Sequence, residues 1–251
     1  MADPENIVEC EDLSVGYPGR TVLEHVSFSV KRGEIFALLG GSGCGKSTIM
    51  KHIAGLNPPV AGRLRVSGIE MNAANRDRIL AGIGVMFQSG ALFGSMTLLE
   101  NVMLPLEEFS PLPPELRTAC ALAKLELVGL REFAGFLPSA ISGGMKKRAA
   151  IARAMALDPG LILLDEPSAG LDPVTSAALD DLVLKLREER GTTFIIVTHE
   201  LPSVFKIADR CAIFDRDRRG MAACGVPAEL RERRDDPFIE AYFNRGGTNG
   251  R

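Results

Sequence analysis

Apolar and polar residues alternate early in the chain. Val26, Phe28 and Val30 are separated by Ser27 and Ser29, the period-two pattern of a strand with one covered face. Residues 35–39 are apolar without interruption, as a strand covered on both faces must be, and the run ends in a glycine-rich turn over 40–45. A helix is predicted over 46–54. Alternation returns at Leu64 and Val66, and 83–87 forms another short apolar run. The middle of the chain changes to helical spacing. Residues 97–104 and 114–127 read as helices divided by a proline-rich loop at 110–114, and 144–156, rich in alanine, lysine and arginine, reads as a third. The last part resumes the alternation of strand and helix, with strands at 161–164, 194–197 and 211–214 and a helix over 174–187. Such an order predicts an α/β domain with a mainly parallel sheet, interrupted by a helical segment.

Composition narrows the class. The 251 residues suffice for one sizeable domain without disulfide staples. At 46% hydrophobic and 24% charged, the chain is an ordinary globular one, which excludes disordered and fibrous readings. A net charge of -3 gives no electrostatic reason to expect nucleic acid as a partner. No apolar stretch approaches the length of a membrane span. Met1-Ala2-Asp3-Pro4-Glu5 is acidic where a signal peptide would be basic, so a cytoplasmic location is expected. The five cysteines show no CxxC spacing and read as reduced thiols.

Gly40-Gly41-Ser42-Gly43-Cys44-Gly45-Lys46-Ser47 fits the phosphate-loop pattern GxxxxGK[ST], with a buried strand before it and a helix after it. Glycines let backbone N–H groups curl around phosphate oxygens, and a helix N-terminus adds its positive dipole end. Lys46 is expected to reach the β- and γ-phosphates, Ser47 to ligate magnesium and Thr48 to contact phosphate. The plain alternative is a structural glycine turn. Residues 161–164 lead into Asp165-Glu166 at the carboxyl edge of the sheet, where ligands of such sheets collect. Asp165 is expected to hold magnesium through water, and Glu166 to polarise an attacking water. In isolation the two acids read as solvated loop charges.

A second glycine-rich helix start, Ile141-Ser142-Gly143-Gly144-Met145, lies just upstream of the Asp-Glu strand and precedes the basic run Lys146-Lys147-Arg148. With it, the chain resembles the nucleotide-binding subunits of ABC transporters over nearly its whole length, although their usual signature LSGGQ here reads ISGGM. Further motifs follow in the family's order. Tyr17 matches the aromatic that stacks on adenine, Gln88 the Q-loop glutamine, Ser168-Ala169-Gly170-Leu171-Asp172 the D-loop, and His199 the switch histidine. The resemblance implies a P-loop NTPase core, RecA-like with a mainly parallel sheet, plus an N-terminal antiparallel β subdomain and an inserted α-helical subdomain. It implies one nucleotide-binding domain over 1–251, with a catalytic core at about 1–90 and 157–235, a signature subdomain at about 91–156 and a tail at 236–251.

It also assigns roles. ATP and Mg2+ are the expected cofactors. Tyr17, Gly41, Ser42, Gly43, Cys44, Gly45, Lys46, Ser47 and Thr48 would bind ATP, while Ser47, Gln88 and Asp165 would hold the metal. Glu166, His199, Lys46 and Gln88 would serve hydrolysis, with His199 bonding the γ-phosphate and Glu166. Two copies would sandwich two ATP molecules, so that Ser142, Gly143, Gly144 and Met145 of one copy meet the γ-phosphate held by the other, with Asp172 in the D-loop. A lone histidine after a strand is otherwise a surface residue, and Tyr17 a cap on a strand edge.

The run Phe87-Gln88-Ser89-Gly90-Ala91-Leu92-Phe93 and Met145 of the signature resemble the ATPases of Mla and Mce-associated bacterial lipid transporters. That likeness implies phospholipid moved between inner and outer membranes. The implied partners are a membrane-embedded permease, an Mce-type lipid-binding protein and a STAS-domain protein. The chain would sit on the cytoplasmic face of the inner membrane. An importer ATPase for another solute shares all this chemistry. A soluble ABC ATPase of DNA repair or translation would carry a long coiled coil or tandem domains, which are not seen. Read from the residues alone, Ala91-Leu92-Phe93 either line a partner's groove or fill the helical segment's own core. Lys146, Lys147, Arg148 and Arg153 read mostly as a solvated helix face. Cys44, beside Lys46 at a helix start, is expected to be the most reactive thiol. Phe238, Ile239, Tyr242 and Phe243 cluster at helical spacing and dock either on this domain or on a partner.

Overall fold

A computed structural model describes residues 5–244; the segments at 1–4 and 245–251, with the leader and tail readings made on them, lie outside the described residues. The chain begins with three strands, β1 (Asn6–Tyr17), β2 (Arg20–Lys31) and β3 (Ile35–Gly40), and a helix, α1 (Lys46–Ile53). There follow β4 (Ala61–Val66), β5 (Ile69–Glu70), α2 (Arg76–Leu80) and β6 (Ile83–Met86). Three helices come next, α3 (Leu98–Phe109), α4 (Pro114–Leu127) and α5 (Gly143–Ala154). The last part is β7 (Leu161–Asp165), α6 (Pro173–Arg190), β8 (Thr193–Val197), α7 (Leu201–Ile207), β9 (Arg210–Asp215), β10 (Gly220–Gly225), α8 (Pro227–Arg231) and α9 (Pro237–Asn244).

Two sheets form. One is antiparallel in the order β2-β1-β4-β5; the other runs β10-β9-β3-β8-β7-β6 and is parallel except at the β9–β10 edge. The solid apolar runs owe their character to cover on both sides. In β3, Phe36 and Leu38 pack with the antiparallel sheet and α1, whereas Ile35 joins the helical side and Ala37 and Leu39 a third cluster under α7, α8 and α9. In β7, Leu161 and Leu163 face the first cluster, Ile162 and Leu164 the second. The three middle helices share that second cluster with the main sheet through Met86, Ala150, Ile151 and Leu164.

Two expectations need correction. The helix starting after Thr97 does not stop at 104 but runs through Pro105 to Phe109. A capping box closes its first turn, with Glu100 N–H donating to Thr97 Oγ1 at 3.2 Å and Thr97 N–H to Glu100 Oε2 at 2.6 Å. Buried Leu98, Val102 and Leu106 hold the helix against the core on both sides of the proline. The basic face of α5 is not mostly solvated either. Lys147 is buried, Arg148 donates to the Val128 carbonyl at 3.0 Å, and Arg153 donates to Gly90 and Ala91 carbonyls at 2.8 and 2.7 Å. The choice left open at 91–93 divides: Leu92 packs on the helical core while Phe93 is exposed. The aromatic cluster at 238–243 docks on its own domain, with Ile239, Tyr242 and Phe243 buried against Leu39, Val204 and Ile213.

Candidate active site

β3 ends in the glycine turn that feeds α1. Gly45 caps that helix at φ +110°, and a Cβ there would lie 2.7 Å from Leu23 Cγ, so only glycine fits. No side chain caps the helix, which leaves its first N–H groups to a ligand. Lys46 folds back over the turn, its Nζ donating to the Gly40 and Gly41 carbonyls at 2.8 and 3.0 Å. Beside it opens a cavity of about 260 Å³ lined by Gly43, Lys46, Ser47, Thr48 and Tyr17, a residue that is 44% exposed.

Across the turn, Ser47 Oγ donates to Asp165 Oδ1 at 3.1 Å. Asp165 closes β7 and is buried. Burial pushes its carboxyl up, against the opposing pull of the Ser47 hydrogen bond and the nearby lysines. Glu166 follows in a left-handed conformation, φ +48°, with its N–H on the Val197 carbonyl at 2.8 Å. Its carboxylate meets His199, whose Nδ1 lies 3.0 Å from Oε1. Oε2 is 2.8 Å from the same nitrogen, yet it is buried with no donor aligned on it. An orphaned carboxylate oxygen of this kind awaits a ligand or a water. Gln88 lines a cavity with Asp165 and Lys51 at the same sheet edge. Ser47, Asp165 and Gln88 offer only hard oxygen donors, the set that suits magnesium.

Other sequence-predicted residues lie apart from that cluster. Ser142 caps α5, its Oγ accepting from Met145 N–H at 3.2 Å, and Ser142 and Gly143 are exposed. Gly144 sits so close to α6 that a Cβ would lie 2.5 Å from Thr175 Cγ2. Asp172 caps α6, accepting from Val174 and Thr175 N–H at 3.0 Å each; the Thr175 hydroxyl foremost holds its carboxyl below the usual range.

Cys44 contradicts its expectation. It is buried, and burial raises its thiol's pKa more than Lys46, 4.0 Å away, lowers it. Sequence reasoning also missed Lys147, whose Nζ donates to the carbonyls of Gln88 and Glu166, the latter at 3.2 Å. The signal was present. Lys147 stands in line with Ala150, Ile151 and Ala154, at the i, i+3, i+4, i+7 spacing of a buried helix face.

A phosphate loop, a strand-end acid pair and a histidine on the second acid define a P-loop nucleotide-hydrolysing protein. The chain belongs to the ABC transporter family, whose profile matches residues 23–169, as one of its ATPase subunits. It is 41% identical, over 95% of its length and 89% of the relative's, to the intermembrane phospholipid transport system ATP-binding protein MlaF of Escherichia coli (strain K12). The MlaF protein of Haemophilus influenzae is 36% identical over 98% of this chain and 93% of its own. Among solved structures, the dimeric ATP-binding cassette MJ0796, in a post-hydrolysis state bound to ADP and Pi, superposes with a TM-score of 0.78. It is 31% identical, covering 88% of this chain and 98% of that one.

Proposed function

We propose that this chain powers phospholipid transport between the inner and outer membranes of a bacterium. It works as a pair of copies on the cytoplasmic face of the inner membrane, beneath an integral-membrane permease. The observation that carries the hydrolytic reading is the Glu166–His199 pair, 3.0 Å apart, with a buried Glu166 carboxylate oxygen left open, in a chain where the neighbouring Asp165 meets Ser47 of the phosphate loop. Lys46 turns from the loop carbonyls to the β- and γ-phosphates, the loop N–H groups from 41 to 48 cradle them, and Tyr17 stacks on adenine. Ser47, Gln88 and Asp165 would hold Mg2+, which neutralises charge between the phosphates. Glu166 accepts the proton of the attacking water, and His199 steadies Glu166 and the γ-phosphate. Ser142, Gly143, Gly144 and Met145 of the second copy supply donors to the same phosphate, with Asp172 shaping the loop between copies.

One nucleotide-binding domain carries these parts, its core at about 1–90 and 157–235 and its signature subdomain at about 91–156. An apolar cavity of about 590 Å³ lined by Leu56, Leu80, Val85, Phe87, Pro105 and Phe109 suits a short helix of the permease. No helix among the described residues is long and apolar enough to cross a membrane. The likeness to MlaF supports the phospholipid cargo. An Mce-type lipid-binding protein and a STAS-domain protein complete the proposed assembly.

The test is reconstitution of the chain with its permease in vesicles containing a fluorescent phospholipid, with transfer to an acceptor protein followed over time. ATP should drive transfer. Glu166→Gln should lower turnover by about 10²- to 10⁴-fold while nucleotide still binds. Brisk hydrolysis without lipid transfer, under any lipid composition, would reject the cargo.

A further inference from the structure

The helix that begins at the signature also reaches into the hydrolytic site. Lys147 lies in its second turn, 8% exposed, and points into the edge of the main sheet. There β6 and β7 run parallel and in register up to the pair Met86 and Leu164. Just beyond, the two chains part, and the carbonyls of Gln88 and Glu166 fall outside the strand ladder. Carbonyls at such a break take their donors from outside the ladder. Lys147 Nζ donates to both. An ammonium has three donors and no acceptor, so one side chain can serve both carbonyls at once, although that of Glu166 also accepts from Ala169 N–H at 3.1 Å. Burial draws this ammonium below its ordinary range, and the neighbouring Glu166 and Asp165 carboxylates pull the other way.

The bond to Glu166 acts on a strained residue. Glutamate at φ +48° occupies a region that non-glycine residues enter at some cost, so its neighbours must hold it there. Its N–H is held by the Val197 carbonyl, and its C=O by both Lys147 and the Ala169 N–H. These bonds hold the backbone from which the carboxylate reaches His199. On the other side, Gln88 begins a segment in which the Gly90 and Ala91 carbonyls are bonded by Arg153 of the same helix. One helix thus braces the glutamine loop along its length and the glutamate at one point.

We propose that Lys147 is a positioning residue for hydrolysis: from within the signature helix it ties the backbones of Gln88 and Glu166 together, so that both side chains face one reacting centre. The inference rests on the reading of Glu166 as the water-activating carboxylate. It makes the lysine a link between the groove on which a permease would press and the group that does the chemistry.

The experiment compares Lys147→Met, Lys147→Gln and Lys147→Arg in the full permease complex. Met keeps the length and removes every donor. Gln keeps an amide donor on a shorter stem, and substitutes for Met if that variant does not fold. Arg restores a cation that can fork across two carbonyls. Lys147→Met should lower kcat at saturating ATP by between about 10- and 100-fold, the cost of misplacing a reacting group. Its nucleotide Kd should stay within about threefold of wild type, because ground-state binding is untouched. Lys147→Arg should recover most of kcat. Without nucleotide, amide hydrogen exchange over residues 87–91 should be faster in Lys147→Met and near wild type in Lys147→Arg. A wild-type kcat in Lys147→Met, or a loss that Lys147→Arg does not restore, overturns the proposal. Glu166→Gln assayed alongside separates the two failures. If that variant turns over, the reading of Glu166 has fallen. If it is dead while Lys147→Met runs at full rate, only the role of Lys147 has.

Discussion

At single residues, opposing effects of burial and charge decide the chemistry. A lysine and a helix start both favour a thiolate at Cys44, but removal from water disfavours it more, and the thiol ends up protonated and packed. In the native nucleotide-free chain Cys44 should therefore alkylate more slowly, by about tenfold or more, than half-buried Cys120. Mass-spectrometric labelling checks this, and Cys44 labelling first would contradict it. Asp165 follows the same balance. Burial raises its carboxyl above the value it has in the unfolded chain, so folding favours the protonated form and stability is lost as pH rises through the folded pKa. Asp165→Asn removes that cost. At pH 7 the nucleotide-free variant should melt higher than wild type by roughly 1–4 °C, with the gap closing as pH falls below about 4. A variant that melts lower at neutral pH would show the Ser47 hydrogen bond to outweigh desolvation.

Among the elements, α9 carries the plainest prediction. It buries Ile239, Tyr242 and Phe243 against Leu39, Val204 and Ile213. Ending the chain after Arg234 should lower the melting temperature by roughly 5–15 °C, since each such side chain contributes about 1.5–3 kcal/mol before the regained chain entropy. Calorimetry on the isolated chain checks it; an unchanged melting temperature with lost assembly would instead make α9 a docking arm. The elements also show what could be seen beforehand. α4 spans the residues its apolar spacing marked, because proline at its first turn and a period of 3.6 are local signals. β3, β7 and β8 were visible as apolar runs, since strands covered on both faces need no partner to reveal them. β5, α2, α7, α8 and β10 were not, because elements of 2 to 7 residues are held by what they pack on and have little periodicity of their own. β1 hides for another reason: its ladder with β2 shifts register between Cys10 and Leu13, which breaks the alternation. The glycines, acids and histidine of the site were legible because phosphate chemistry restricts residue type. Lys147 was masked by Lys146 and Arg148, and only the projection of α5 onto its buried face separates it from them.

For the whole molecule, the proposed pairing of two copies would set the exposed Ser142 and Gly143 of one copy at the phosphate loop of the other. Specific ATPase activity of the isolated chain should then fall on dilution, in proportion to the fraction of dimer; constant activity down to about nanomolar protein would contradict shared sites. The hydroxyl of Tyr242 accepts from the Gly40 N–H at 3.2 Å, a bond between residues 202 positions apart. On a ribosome adding about 5–20 residues per second, the first glycine of the phosphate loop waits about 10–40 s for the residue that completes its surroundings. A nascent chain therefore cannot finish this corner before Tyr242 has been made. Ribosome-stalled chains ending before Pro237 should capture ATP more weakly than full-length stalled chains extended by a linker, and equal capture would show the loop to mature alone. The phosphate loop would in this way stay unfinished until synthesis has passed Tyr242.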